Sequence, residues 1–189
     1  MLKLILNKKY HPLFESDARY FIITGGRGSG KSFAATVFLT LLTMTKGIRI
    51  LFTRFTMTSA HLSIIPEFLE KIGLLGFDEV FSINKAEVLN TSNQSDILFR
   101  GIRTSAGNQT ASLKSLQGIS TWVLDEAEEL IDEDIFDTID LSIREKDIQN
   151  RIILILNPVT KEHWIYDRFF ESKGVEGGFN GVKDNVCYI

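Results

Sequence analysis

Apolar residues fall into short runs separated by polar turns, and the period inside each run changes along the chain. Tyr20-Phe21-Ile22-Ile23-Thr24 is short and continuous, the pattern of a strand buried on both faces. Residues 33–45 carry apolar side chains at helical spacing, and Lys46-Gly47 is a helix-ending pair. A second continuous run, residues 48–52, predicts another buried parallel strand ending at Thr53-Arg54. In residues 59–74, Leu62, Ile65, Phe68, Leu69 and Ile72 repeat with the helical period. Pro66 predicts a local kink or a new start, and Gly73 and Gly76 close the segment.

From Val80 the apolar period drops to that of a strand. Residues 80–89 and 96–102 alternate as two antiparallel strands around the polar turn 90–95, a hairpin with the look of an insertion. Residues 103–115, rich in Ser, Thr, Gly and Asn, predict an exposed loop. Residues 121–124 then run apolar into Asp125-Glu126, followed by a helix over 133–143, a strand over 151–156 that ends at Asn157-Pro158, and a short helix over 162–170. The first residues, through Asp17, predict a strand or arm packed across the sheet, and residues 176–189 a glycine-rich linker. Strands and helices in alternation define one α/β domain over residues 1–175, a mainly parallel sheet flanked by helices.

The strand at 20–24 leads directly into Gly25-Gly26-Arg27-Gly28-Ser29-Gly30-Lys31-Ser32, a full match to G-x-x-x-x-G-K-[ST], and a helix follows. Glycines there let successive N–H groups turn inward, and the helix adds its positive end to the same anion site. Lys31 is predicted to reach the β- and γ-phosphates of ATP, and Ser32 to hold Mg²⁺. Asp125 ends an apolar strand and is predicted to hold Mg²⁺ through its water shell, while Glu126 is predicted to orient and polarise the attacking water; a solvated acidic surface running on through Glu128 and Glu129 is the alternative for Glu126. Phe14, Arg19 and Tyr20 lie just upstream of the loop, where an adenine ring has to be held; core aromatics fit the same spacing. A further strand between the two motifs and the adjacent Glu126 point to the RecA-like, additional-strand class of P-loop ATPases that convert hydrolysis into mechanical work.

Composition narrows the picture further. A chain of 189 residues suits one domain, and no apolar run approaches the roughly 20 residues that span a bilayer, so a soluble intracellular protein is expected. Cys187 is the only cysteine, which excludes an internal disulfide or a cysteine metal cluster, and His11, His61 and His163 show no ligand spacing. A net charge of −3 means that nucleic acid has to be held by local patches. Arg100, Arg103 and Lys114 flank the polar loop as candidates to contact DNA phosphates or a neighbouring subunit's ATP; solvated surface charge is the alternative. Residues 184–189 look like a strand beginning where the chain stops, the mark of a longer protein.

Several of these features together resemble the ATPase half of tailed-phage terminase large subunits. They are Gly-Gly-Arg-Gly-Ser-Gly-Lys-Ser at residues 25–32, Arg19-Tyr20 before it, Arg54, Lys114-Ser115-Leu116-Gln117-Gly118, Asp125-Glu126-Ala127-Glu128 and Asn157-Pro158. The similarity spans almost the whole chain and is most specific in Arg27, the Lys-Ser-Leu-x-Gly segment and the closing Asn-Pro. It implies a packaging motor that drives double-stranded DNA through a portal into a procapsid, acting as a homo-oligomeric ring with a terminase small subunit in the bacterial cytoplasm. It also implies a metal-dependent nuclease domain downstream of Ile189, toward which residues 176–189 lead, and no nuclease within this chain. By the same resemblance Arg27 is a cis arginine finger, and Asn157 is the coupling residue that senses the γ-phosphate. The isolated domain is then expected to be a weak, mostly monomeric ATPase. Another additional-strand motor, such as a helicase or recombination ATPase, and an ATP-dependent switch with little turnover are the other readings.

Overall fold

The computed structural model describes residues 4–57, 60–104, 107–108, 113 and 115–189. Its strands in chain order are β1 (Tyr20–Thr24), β2 (Arg49–Thr56), β3 (Phe81–Ile83), β4 (Glu87–Asn90), β5 (Asp96–Thr104), β6 (Gly107–Asn108), β7 (Thr121–Asp125), β8 (Arg151–Leu156), β9 (Gly181–Lys183) and β10 (Val186–Tyr188). The main helices are α1 (Pro12–Glu15), α2 (Lys31–Leu42), α3 (Ala60–Leu75) and α4 (Glu133–Asp140). Six strands run parallel in the order β5-β2-β7-β8-β1-β10. β4 and then β3 add antiparallel at the β5 edge, and β9 adds antiparallel at the β10 edge. No helix among the described residues is long and apolar enough to cross a membrane.

Alternate residues of each continuous apolar run face opposite layers. Phe21 and Ile23 of β1, Ile50 and Phe52 of β2, Ile97 and Phe99 of β5 and Ile153 and Ile155 of β8 pack with Phe38 and Leu39 of α2 and Ile65, Phe68 and Ile72 of α3. The intervening Ile22, Leu51, Leu98, Ile152 and Leu154 join Trp122, Leu124 and the α4 residues Phe136 and Ile139 on the other face. Both layers are needed because every strand of the parallel core is apolar on two sides. One buried polar pair is satisfied inside the sheet: the Trp122 indole donates to Thr53 Oγ1 at 2.9 Å, and that hydroxyl donates to the Val123 carbonyl at 3.0 Å.

β8 lies between β1 and β7, the strands that end in the glycine loop and in Asp125. The additional strand is thus β8, which follows both motifs in the sequence and comes between their strands only in the sheet. A hairpin forms between β4 and β5, with Val88 opposite Ile97, but the first strand read over residues 80–89 breaks into β3 and β4, which pair antiparallel with each other; β5 also pairs parallel with β2 from Arg49↔Asp96 onward, so the hairpin grows out of the main sheet. α3 runs through Pro66 without a break in its assigned helix.

Two expectations are corrected. The N-terminal arm is a 3₁₀ turn, Lys8–Tyr10, followed by α1 with Pro12 in its first turn, rather than a strand. The segment expected to be a linker closes the sheet, and the strand expected to begin within residues 184–189 is the part that does so: β10 pairs with β1 through Tyr20↔Val186, Phe21↔Cys187 and Ile22↔Tyr188. Thr24 donates to the Ile189 carbonyl at 2.8 Å and Ile189 donates to the Ile22 carbonyl at 2.9 Å. These bonds occupy backbone groups that a buried edge of β1 would otherwise leave unpaired.

Candidate functional site

After Thr24 the chain must leave the sheet and enter α2 within six residues, and glycine backbone makes the path possible. At Gly25 (φ 154) a Cβ would stand 2.9 Å from Ser29 Oγ, closer than side chains approach. Gly30 caps α2 in the left-handed region (φ 87), with no side-chain cap at that end. The first-turn N–H groups of this 12-residue helix therefore face the loop instead of a capping side chain. Tyr10, buried in the N-terminal arm, donates its hydroxyl to the Ser29 carbonyl at 2.9 Å and braces the loop from behind. Sequence reasoning did not single out Tyr10, whose only signal was an aromatic in an arm of mixed apolar and polar residues.

The Lys31 ammonium folds back on the loop, donating to the carbonyls of Gly25 and Gly26, the latter at 3.1 Å, and facing Asn157 Oδ1 at 3.4 Å. Burial lowers its pKa, against the pull of the Glu128 and Asp125 charges. Asp125, at the carboxyl end of β7, holds Arg54 from β2: Nε and Nη2 lie 2.8 and 2.7 Å from Oδ2. Arg54 Nε is also 3.6 Å from Glu126 Oε2. Glu126 adopts φ 55, ψ 45, the left-handed region that a non-glycine residue enters only under strain. Burial raises its carboxyl pKa; Arg54 opposes the rise, and Asp125, Glu129 and Glu128 reinforce it.

These groups line one cavity of about 430 Å³ at the carboxyl edge of the sheet. Gly26, Arg27, Gly28, Ser29, Gly30, Lys31 and Ser32 form one wall, and Arg54, Asp125, Glu126, Glu128 and Asn157 the other. Gly25 contributes the carbonyl under Lys31. Tyr20 is not brought to the cavity. It begins β1 whereas the loop follows the end of that strand, and its hydroxyl donates to Asp140 Oδ2 at 2.8 Å at the opposite edge. Its neighbour Arg19 is tied to the same carboxylate, and Phe14 packs edge-on against Phe38 at 5.1 Å between centroids. Tyr20, predicted to contact adenine, therefore does not line the phosphate cavity. Residues 115–118 also sit at the far edge, where Arg49 Nη1 donates to the Gln117 carbonyl at 3.3 Å. Arg100 and Arg103 lie outside the cavity, and Lys114 falls outside the described residues.

The cavity fits a nucleoside triphosphate with its metal. The loop offers helix-end N–H groups and a lysine, the combination that cradles phosphate. Ser29 Oγ is buried with no hydrogen-bond partner among the described residues. Ser32 and Asp125 present oxygen donors on facing walls, the kind of incomplete set that Mg²⁺ completes with phosphate and water.

A loop-bearing strand, an acid-bearing strand and one strand between them define a RecA-like P-loop fold of the additional-strand class. Within that class, the chain belongs to the phage terminase large subunit family, whose model matches residues 17–189. Among solved structures it is similar to the large terminase of a thermophilic bacteriophage, with a TM-score of 0.75 and 10% identity, covering 98% of this chain and 45% of that one. The large terminase ATPase domain of Thermus phage P74-26 superposes with a TM-score of 0.68 at 17% identity, over 97% of this chain and 80% of that one. The N-terminal domain of the DNA packaging ATPase from bacteriophage phi29 gives 0.68 at 16% identity, over 97% and 94% of the two chains. No curated protein matches the chain. The chain thus spans less than half the length, 45%, of the large terminase from the thermophilic phage.

Proposed function

We propose that this chain is the ATP-hydrolysing motor domain of a phage DNA-packaging machine. The observation that carries the reading is the convergence, in one cavity, of Lys31 from α2, Arg54 from β2, Asp125 and Glu126 from the end of β7, and Asn157 from the end of β8. The large terminase of the thermophilic phage, a relative in fold, has been captured with ADP and with ATP-γ-S.

In this reading the loop amides and Lys31 bind the β- and γ-phosphates, and Ser32 and Asp125 hold Mg²⁺, which supplies charge neutralisation on the phosphates. Glu126 takes the proton of the attacking water, and the raised pKa favours its acting as a base at neutral pH. Arg27, exposed on the loop wall, stabilises charge on the departing phosphate in cis, and Asn157 senses the γ-phosphate. The machine is a homo-oligomeric ring at the portal of a procapsid in the host cytoplasm, moving double-stranded DNA with a terminase small subunit. Its nuclease lies in a separate C-terminal domain, and this chain alone is a weak, mostly monomeric ATPase.

Glu126→Gln tests the assignment, because it keeps the shape and removes the base. ATP is expected to bind as in the wild type while single-turnover hydrolysis falls at least about a hundredfold. Undiminished hydrolysis in that variant overturns the role given to Glu126.

A further inference from the structure

Glu128 follows the Asp125-Glu126 pair on a 3₁₀ turn, Ala127–Glu129, and reaches across to the end of β8. Both of its carboxylate oxygens are engaged by one residue. The Asn157 backbone N–H donates to Oε2 at 3.2 Å, and Asn157 Nδ2 donates to Oε1 at 2.6 Å. The other end of the same amide, Oδ1, faces the Lys31 ammonium at 3.4 Å. A carboxylate and an ammonium thus grip opposite ends of one amide. Flipping it would set oxygen against carboxylate and NH₂ against ammonium, so charge alone fixes its orientation.

A γ-phosphate entering beside Lys31 changes both ends of this arrangement. It draws the ammonium that faces Oδ1, and it offers acceptor oxygens for the Nδ2–H that Glu128 holds. Glu128 and the γ-phosphate are like charges in one cavity that compete for a single donor. ADP brings no such competitor. We propose that Glu128 is a positioning residue: it holds the Asn157 amide in the absence of a γ-phosphate and yields it when one enters, which makes Asn157 discriminate ATP from ADP. This rests on the nucleotide reading of the cavity.

The same residue has a route outward. The Glu128 carbonyl lies 3.2 Å from His163 Nε2, and two residues later the Leu130 carbonyl accepts from Trp164 Nε1 at 2.6 Å. His163 in turn caps the helical turn Trp164–Tyr166 through its Nδ1. Movement of Glu128 therefore reaches that turn through two hydrogen bonds. Trp164 is a built-in reporter of it, since the only other tryptophan, Trp122, is fully buried in the sheet core.

The test measures Mg-ADP and Mg-ATP-γ-S affinities by titration of the chain, for the wild type, Glu128→Gln, Glu128→Ala, Asn157→Ala and the Glu128→Gln/Asn157→Ala double variant. Both Glu128 substitutions remove the competing charge, so each is expected to shift the affinity ratio toward ATP-γ-S by about fivefold or more. ADP affinity is expected to change less than ATP-γ-S affinity, and the shift in the ratio vanishes in the Asn157→Ala background. The wild-type difference in Trp164 emission between the two nucleotides is expected to disappear in Glu128→Gln, with Trp164→Phe identifying the source of the signal. A ratio unchanged by both Glu128 substitutions, in variants that still bind nucleotide, overturns the proposal. So does a shift of the same size when Asn157 is already gone. Failure of the wild-type chain to bind either nucleotide instead overturns the reading of the cavity itself.

Discussion

Glu126 carries two costs in the folded protein, a left-handed backbone and a partly desolvated carboxyl group. Its folded pKa stands above the ordinary 4.5, so between that value and the folded pKa the native state keeps a proton that the unfolded chain releases. Stability therefore falls as pH rises through this window, and the full cost remains at every higher pH. Glu126→Gln cannot ionise, so it is expected to melt above wild type near neutrality and to lose that advantage in acid. Thermal melts from about pH 4 to about pH 8 check this, and a constant difference across the range contradicts the assignment. Lys31 is the complementary case, a cation kept in a partly desolvated pocket by carbonyls and carboxylates. Lys31→Ala is expected to abolish tight ATP binding, and wild-type affinity by calorimetry would remove the phosphate-loop assignment. At this scale the loop residues and the Asp125-Glu126 pair were legible, because their chemistry is local in sequence. Tyr10 under Ser29 and Glu128 on Asn157 were not, because each acts on a residue brought close only by the sheet.

The elements divide in the same way. Strands β1, β2, β7 and β8 announce themselves as apolar runs because both their faces are covered, and α3 shows its period because only one stripe of it is. β10 is three residues long in a glycine-rich tail, and it is a strand because β1 offers it an edge. Residues 184–189 do read as the start of a strand, but no local propensity encodes the partner it pairs with. The N-terminal segment, read as a strand or an arm, is the arm: Tyr10 and Leu13 enter the core from two short helical turns, with no period to read. α4 is held by tilted and edge-on aromatic contacts, Phe136 lying 5.1 Å from Trp122, 4.8 Å from Trp164 and 6.2 Å from Phe169 between centroids. Phe136→Ala leaves a cavity among three rings and is expected to cost about 3–5 kcal/mol in denaturant unfolding. Because Phe136 does not line the phosphate cavity, nucleotide affinity in the native variant is expected to stay at the wild-type value.

At the scale of the whole molecule, a chain of net charge −3 would hold a polyanion such as DNA only through local groups. Arg100 is committed to its own sheet edge, with Nη1 donating to the carbonyls of Phe99 at 2.7 Å and Ala86 at 3.4 Å. Arg103 is exposed, but it shares a cleft of about 590 Å³ with Glu129, Asp132, Phe55 and Ile131. A DNA backbone entering that cleft meets two carboxylates, which offset the counterion release gained at one arginine. Ile131 is 74% exposed on the same surface, and a large apolar side chain beside mixed charge suits a protein neighbour better than a polyanion. Arg103→Glu in the assembled motor is therefore expected to lower the ATPase rate of mixed wild-type and variant oligomers. The salt dependence of its DNA binding should stay unchanged. A phosphate-binding arginine has a different signature: charge reversal would flatten the plot of log affinity against log salt by about one unit for each phosphate no longer neutralised. That result, with turnover in mixed oligomers intact, would return Arg103 to the DNA path.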